Sequence, residues 1–228
     1  MIIAALDIET LDTAHTAHVF EISAVTAVID VGLFIEQSSI KLAPNYLEQL
    51  FLGRTKSKDT LEFHRKIRGN DEFESNLLSL NSNDTYDYTS VSLVITFELL
   101  RDFLKDVEEI WINGLSFDSP ILHSLAKDSG CSMPLWDFRK ERDVRTVRNT
   151  NPALHKLTKN TQVLHSAYED ALWNLSVAAH HHNFMAVLQG SLEPELAPIK
   201  GTSKSKSKAR GTKVKYERPF INSKTKLR

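Results

Sequence analysis

Two acidic residues set into an otherwise apolar strand constrain this chain more than any other feature. Residues 2–8 read Ile-Ile-Ala-Ala-Leu-Asp-Ile, a nearly continuous apolar run of the kind that forms a buried central strand. Asp7 and Glu9 flank Ile8 at its end. Side chains two apart on a strand leave the same face, so both carboxylates stand where an unpaired charge is expensive to bury. Like charges held that close repel unless a cation sits between them. Oxygen donors at this spacing suit Mg²⁺ or Mn²⁺, which accept few protein carboxylates and keep waters. The same Asp-x-Glu pattern at Asp106-Val107-Glu108 falls at a polar helix end and reads as solvated surface.

The rest of the chain supplies a frame for that strand. Val19 to Asp30 and Leu33 to Leu42 are rich in Val and Ile, with Asp30-Val31-Gly32 as a turn, which predicts an antiparallel meander. Ser57 to Leu80 is helical but irregular, and Asn81 to Thr89 is polar loop. Ser90 is expected to cap a helix carrying Leu93, Phe97, Leu100 and Leu104. Ile110-Trp111-Ile112 predicts a short buried strand. A helix is expected from about Asp118 to Ser129, with Gly130 just past its end. Asp143-Val144-Arg145-Thr146 fits the end of a last strand. His165 to Met185 holds one more helix, with Leu172, Leu175, Ala179 and Phe184 near one face. This order argues for a mixed α/β fold: a five-stranded sheet, three antiparallel strands then two parallel ones, flanked by helices.

At 228 residues, 41% of them hydrophobic, the chain suits one substantial domain plus a tail. No apolar run approaches the roughly 18 residues of a membrane span, and Met1 to Asp7 has neither a basic region nor a small-residue cleavage site. The lone cysteine, Cys131, suits a reducing compartment, so the cytoplasm is expected. The formal net charge of −1 conceals a split. Residues 200–228 carry eleven Lys or Arg against one acid, Glu217, leaving 17 basic and 28 acidic residues in 1–199. The expected division is a domain over 1–188 and a basic tail over 189–228. That tail has too little apolar content to fold alone, and reads either as a solvated extension or as a nucleic-acid tether.

Two further elements bear on chemistry. Asn113-Gly114-Leu115-Ser116-Phe117-Asp118 leaves the strand at Trp111 and enters a helix at Asp118, with Gly114 allowing a tight turn; alone, Asp118 would read as a helix cap. His165 and Asp170 lie five apart, as do His123 and Asp128. Within one helix that spacing turns side chains roughly 140° apart, so His123 and Asp128 should diverge. His165 instead precedes its helix, where a loop can bring the imidazole back over Asp170. His180-His181-His182 cannot converge on one ion and reads as a helix end. Arg142, Asp143 and Arg145 read either as an ion-pair cluster or as arginines that touch phosphate, with a structural role favoured for Asp143.

In this order and spacing, Asp7-Ile8-Glu9-Thr10, Asn113 to Asp118 and His165 to Asp170 resemble the DEDDh superfamily of exonucleases, which have a ribonuclease H-like fold. More narrowly, with Arg142 to Thr146 included, the chain resembles the phage exonuclease A branch and the related mycobacterial-type exoribonucleases. The resemblance runs from residue 1 to about 185. It departs at Leu11-Asp12, where the branch often has a glycine, and at Thr60 to His64, where relatives carry a tryptophan-rich helix.

The resemblance implies a 3′→5′ exonuclease acting on the 3′ ends of single-stranded DNA or RNA. Asp7, Glu9, Asp118 and Asp170 would hold two Mg²⁺ or Mn²⁺ ions, and His165 would be the general base. Thr10 and Leu11 would contact the terminal nucleotide, with Asn113 and Phe117 beside the second motif and Phe63 offering a stacking face. The alternative, from a different class, is a catalytically silent nucleic-acid-binding protein with the same fold. No glycine-rich phosphate loop of the P-loop or dinucleotide type is present.

Overall fold

The central strand β1 (Ile2–Thr10) has an apolar side chain on both faces, so it needs cover on both. Ala4, Leu6 and Ile8 point into one core, and Ile3 and Ala5 into another. The structure is a computed structural model that describes residues 1–30, 33–79, 90–158 and 165–190. In it β1 pairs antiparallel with β2 (Val19–Asp30), which pairs antiparallel with β3 (Leu33–Pro44). Three helices follow: α1 (Tyr46–Phe51), α2 (Lys58–Arg68) and α3 (Phe73–Ser79). Then come β4 (Ser90–Val91), α4 (Leu93–Leu104), β5 (Glu109–Ile112) and α5 (Asp118–Asp128). A 3₁₀ turn over Phe138–Lys140 leads to β6 (Glu141–Asp143), α6 (Val144–Thr150), α7 (Pro152–Leu157) and α8 (Ala167–Leu188).

The sheet order is β4-β3-β2-β1-β5-β6, with β5 and β6 parallel to β1 and to each other respectively. The antiparallel-then-parallel layout is as expected, but the sheet has six strands rather than five. Ser90 and Val91 pair in parallel with Ala43 and Pro44, so Ser90 is strand and Ser92 caps α4. The irregular helical stretch is two helices, because Gly69 takes a left-handed φ of 58° that closes α2. The last strand stops at Asp143, whose side chain caps α6 by accepting from the Arg145 N–H, so Val144 to Thr146 are helical. The expected turn at Val31-Gly32, the loop from Asn81 to Thr89 and the tail beyond Gly190 lie outside the described residues.

One core, on the β1 face of Leu6, is filled by Phe97, Leu100 and Leu104 of α4 and by Ile121, Leu122 and Leu125 of α5. The other is filled by Trp111, Val144 and Leu154 and by Ala171, Leu175 and Ala178 of α8. Phe184 is 40% exposed and takes no part in it. The three histidines lie inside α8 rather than at its end: His182 Nε2 is 2.9 Å from Glu109 Oε2, and the His181 ring stands 5.5 Å from Trp111. Two cores, one on each face of β1, fix that strand against bending. No helix among the described residues is long and apolar enough to cross a membrane.

Two phenylalanines separate packing from mere hydrophobicity. Phe97 is fully buried and Phe51 is 91% exposed. Phe97→Ala is expected to cost about 3–5 kcal/mol in urea unfolding, and Phe51→Ala less than about 0.5 kcal/mol. Equal losses would contradict the core assignment.

Candidate active site

Asp7 and Glu9 continue the Ile3–Ala5 face of β1, where α8 crosses the strand. An open cleft of about 670 Å³ lies at this strand end, lined by Asp7, Glu9, Asp118, His165 and Asp170 together with Thr10, Phe63, Asn113 and Phe117. Oxygens of Asp7, Glu9 and Asp170 lie within 4.8 Å of one another. Asp118 stands outside that tight trio, yet after burial its charge is the largest influence on Asp7.

The electrostatics follow from crowding. Burial and the charges of Asp118, Glu9, Asp170 and Glu21 push the Asp7 carboxyl well above its usual range. Burial lifts Glu9 to about 8, with the Arg68 guanidinium working against it. Burial also lifts Asp118 to about 8 and raises Asp170. Folding therefore assembles carboxylates that resist ionising together. Their donor set is all oxygen and the space between them is open, which fits hard divalent cations of the Mg²⁺ or Mn²⁺ type.

The second motif is built by the exit from β5. Gly114 adopts φ 101°, a conformation that disfavours any residue with a Cβ, and its N–H donates to Asp143 Oδ1 at 3.1 Å. The turn delivers Asp118 as the first residue of α5, 4% exposed. Phe117 holds the cap position with no side-chain cap bond, so Asp118 faces the cleft and does not serve as a helix cap.

His165 sits differently from the expectation. It is the described non-glycine residue with positive φ, at 71°. Its backbone N–H, rather than its ring, donates to Asp170 Oδ2 at 3.0 Å. The imidazole instead meets the Phe63 ring edge-on, with centroids 4.7 Å apart. The left-handed backbone turns the amide toward Asp170 and leaves the ring at the cleft wall.

Helix α2 organises this wall. Arg68 donates to the His165 carbonyl at 2.8 Å, and His64 Nε2 bonds the Thr10 carbonyl at 2.9 Å. Burial depresses His64 to about 4, so it meets that carbonyl as a neutral donor. Leu11 does not reach the cleft. It is fully buried among Phe20, Tyr46, Phe73 and Leu77, because the turn after Thr10 sends an apolar side chain inward. Sequence reasoning missed Glu21, 6% exposed and paired in register with Glu9. It also missed Arg68, whose Nη2 lies 3.8 Å from Glu21 Oε2. The signal for Glu21 was an acid in the Val- and Ile-rich β2; Arg68 carried none. The dismissed patterns are structural: Asp128 pairs with Arg54 at 3.0 Å, and Glu108 accepts from the Ile2 N–H.

A family model described as "3'-5' exoribonuclease Rv2179c-like domain" matches residues 3–181. A search of curated proteins finds no match. Among solved structures, the chain is similar to an apo exonuclease I, with TM-score 0.55 and 12% identity over 86% of this chain and 43% of that one. A second exonuclease I structure gives TM-score 0.51 and 14% identity over 86% and 42%. A zinc-bound Escherichia coli exonuclease I–single-stranded DNA complex gives 0.50 and 12% over 86% and 42%. The chain thus spans less than half the length of these structures, and the likeness shows a shared fold, the ribonuclease H-like arrangement that the resemblance implied.

The raised carboxylates link metal binding to pH. A carboxyl raised in the folded state favours folding when protonated; that contribution is complete below its ordinary pKa near 4 and is lost as pH rises through about 8 for Glu9 and Asp118. A divalent cation held by these carboxylates would replace those protons. Mg²⁺ or Mn²⁺ is therefore expected to raise the unfolding temperature more at about pH 8.5 than at about pH 6. Identical shifts at both would contradict metal binding by these groups.

Proposed function

The chain belongs to the Rv2179c-like 3′-5′ exoribonuclease domain family, and on that premise we propose that it removes nucleotides one at a time from the 3′ end of single-stranded nucleic acid, releasing nucleoside 5′-monophosphates. The narrower kinship proposed within this reading is with the phage exonuclease A and mycobacterial-type exoribonuclease branch, on the motifs at Asp7 to Thr10, Gly114 to Leu122, Arg142 to Thr146 and His165 to Asp170. One observation carries the proposal: Asp7, Glu9 and Asp170 offer oxygens within 4.8 Å of one another in a cleft that Asp118 and His165 also line. A silent binding protein would have no reason to retain so costly an arrangement of acids.

Asp7, Glu9, Asp118 and Asp170 would hold two divalent cations, which when bound supply Lewis acidity toward water and neutralise charge on the phosphodiester. His165 takes the proton from the attacking water through its imidazole, and must be neutral to do so. The amide bond to Asp170 and the Arg68 bond to its carbonyl hold its backbone, so the ring has a fixed origin from which to reach the water. Phe63, 41% exposed, offers a ring to a terminal base without regard to sequence. Thr10 and Asn113 add polar groups at the cleft wall. The family description names RNA and the Escherichia coli neighbour was captured with single-stranded DNA, so the proposed substrate is the single strand common to both.

Degradation of end-labelled single-stranded RNA and DNA of equal sequence, assayed side by side, is expected to need Mg²⁺ or Mn²⁺ and to stop with a chelator. Asp7→Ala is expected to abolish it, and His165→Ala to lower kcat about 10²–10⁴-fold. Activity surviving chelation or Asp7→Ala would refute the metal-dependent reading. For the basic tail we propose a non-specific tether. Full-length protein should then lose affinity with salt more steeply than residues 1–199; identical slopes would refute the tether.

A further inference from the structure

Three arginines follow one another at the β6–α6 junction, and two are already engaged. Arg142 donates from Nε to Glu109 Oε1 at 3.0 Å and from Nη1 to the carbonyls of Arg139 and Glu141. Arg148 donates to Thr158 Oγ1 at 3.1 Å and lies over the Trp173 ring. The guanidinium of Arg145 has no hydrogen bond or ion pair among the described residues, although it lines an acidic cleft. Its place is nevertheless built. Asp143 Oδ1 accepts from both the Gly114 and the Arg145 N–H groups, locking the two turns together. The guanidinium then rests on Gly114, with Nη2 only 3.1 Å and Cζ 3.4 Å from where a Cβ would stand.

We propose that Arg145 binds a phosphate of the substrate backbone adjacent to the one being cleaved, so that the enzyme grips a polynucleotide and not merely a terminal nucleotide. This rests on the exonuclease reading. The scissile phosphate belongs with the buried acids, whereas Arg145 is exposed at the rim beyond Asp118. Its guanidinium lies against Gly114, on the turn that delivers Asp118, and its charge is felt at Asp118, which places it on the Asp118 side of the cleft. A planar guanidinium with all its donors free is suited to a phosphodiester, which it can meet with two parallel hydrogen bonds. A nucleic-acid strand presents one such group at every nucleotide.

The test compares wild type, Arg145→Ala and Arg145→Lys on a single-stranded oligonucleotide and on the p-nitrophenyl ester of thymidine 5′-monophosphate, which has one phosphodiester and no neighbour. Arg145→Ala is expected to lower kcat/KM on the oligonucleotide about tenfold or more, mainly through KM, and to reduce the salt slope by about one. The ester should be hydrolysed at the wild-type rate, and Arg145→Lys should fall between the two on the oligonucleotide. Equal losses on both substrates, or none on either, would overturn the assignment. If wild type cleaves neither substrate, the exonuclease reading has failed. Fluorescence-polarisation binding of the same oligonucleotide then decides the contact: weaker binding by Arg145→Ala supports it, and unchanged binding overturns it.

Discussion

Negative charge confined beneath the surface at the end of β1 is the condition to which the surrounding structure answers. Asp7, Glu9 and Asp170 are brought within 4.8 Å, with Asp118 and Glu21 near enough to raise the Asp7 carboxyl further. Buried ions cost several kcal/mol each unless matched by opposite charge, so hydrophobic packing elsewhere must hold the site in place. The two cores on opposite faces of β1 do this, and the divalent cations proposed for the site would turn the repulsion into attraction.

The four acids arrive on three elements. β1 carries Asp7 and Glu9, the turn at Gly114 delivers Asp118, and the start of α8 delivers Asp170. Only the β1 pair is set by local geometry. The others depend on how β5 and α8 pack against β1, through Trp111 and the small residues Ala171 and Ala178 that let the helix approach the sheet. Packing of apolar side chains therefore determines the spacing of charged ones.

Helix α2 contributes no acid yet touches most of the working parts. Phe63 meets the His165 ring, His64 holds the Thr10 carbonyl, and Arg68 holds the His165 carbonyl while facing Glu21. A displacement of this one helix would move the proposed base and the cleft-facing end of β1 together.

Much of this was legible in the chain itself. The alternation of side chains along a strand put Asp7 and Glu9 on one face, apolar periodicity marked α4 and the strand at Trp111, and the same rotation argument removed His123 and Asp128 from consideration. What the sequence left open were relations between distant segments. It offered no means of telling Arg142, bound to Glu109, from Arg145, whose guanidinium has no hydrogen bond or ion pair among the described residues and lies against Gly114. Nor did it reveal that Leu11 is wholly buried, that Ser90 and Val91 add a sixth strand, or that a left-handed His165 bonds Asp170 through its amide and not its ring. Local patterns follow from steric periodicity, which each stretch of chain carries within itself. Which side chains meet across the fold is decided by packing between elements far apart in sequence, and that exists only once the tertiary structure has formed.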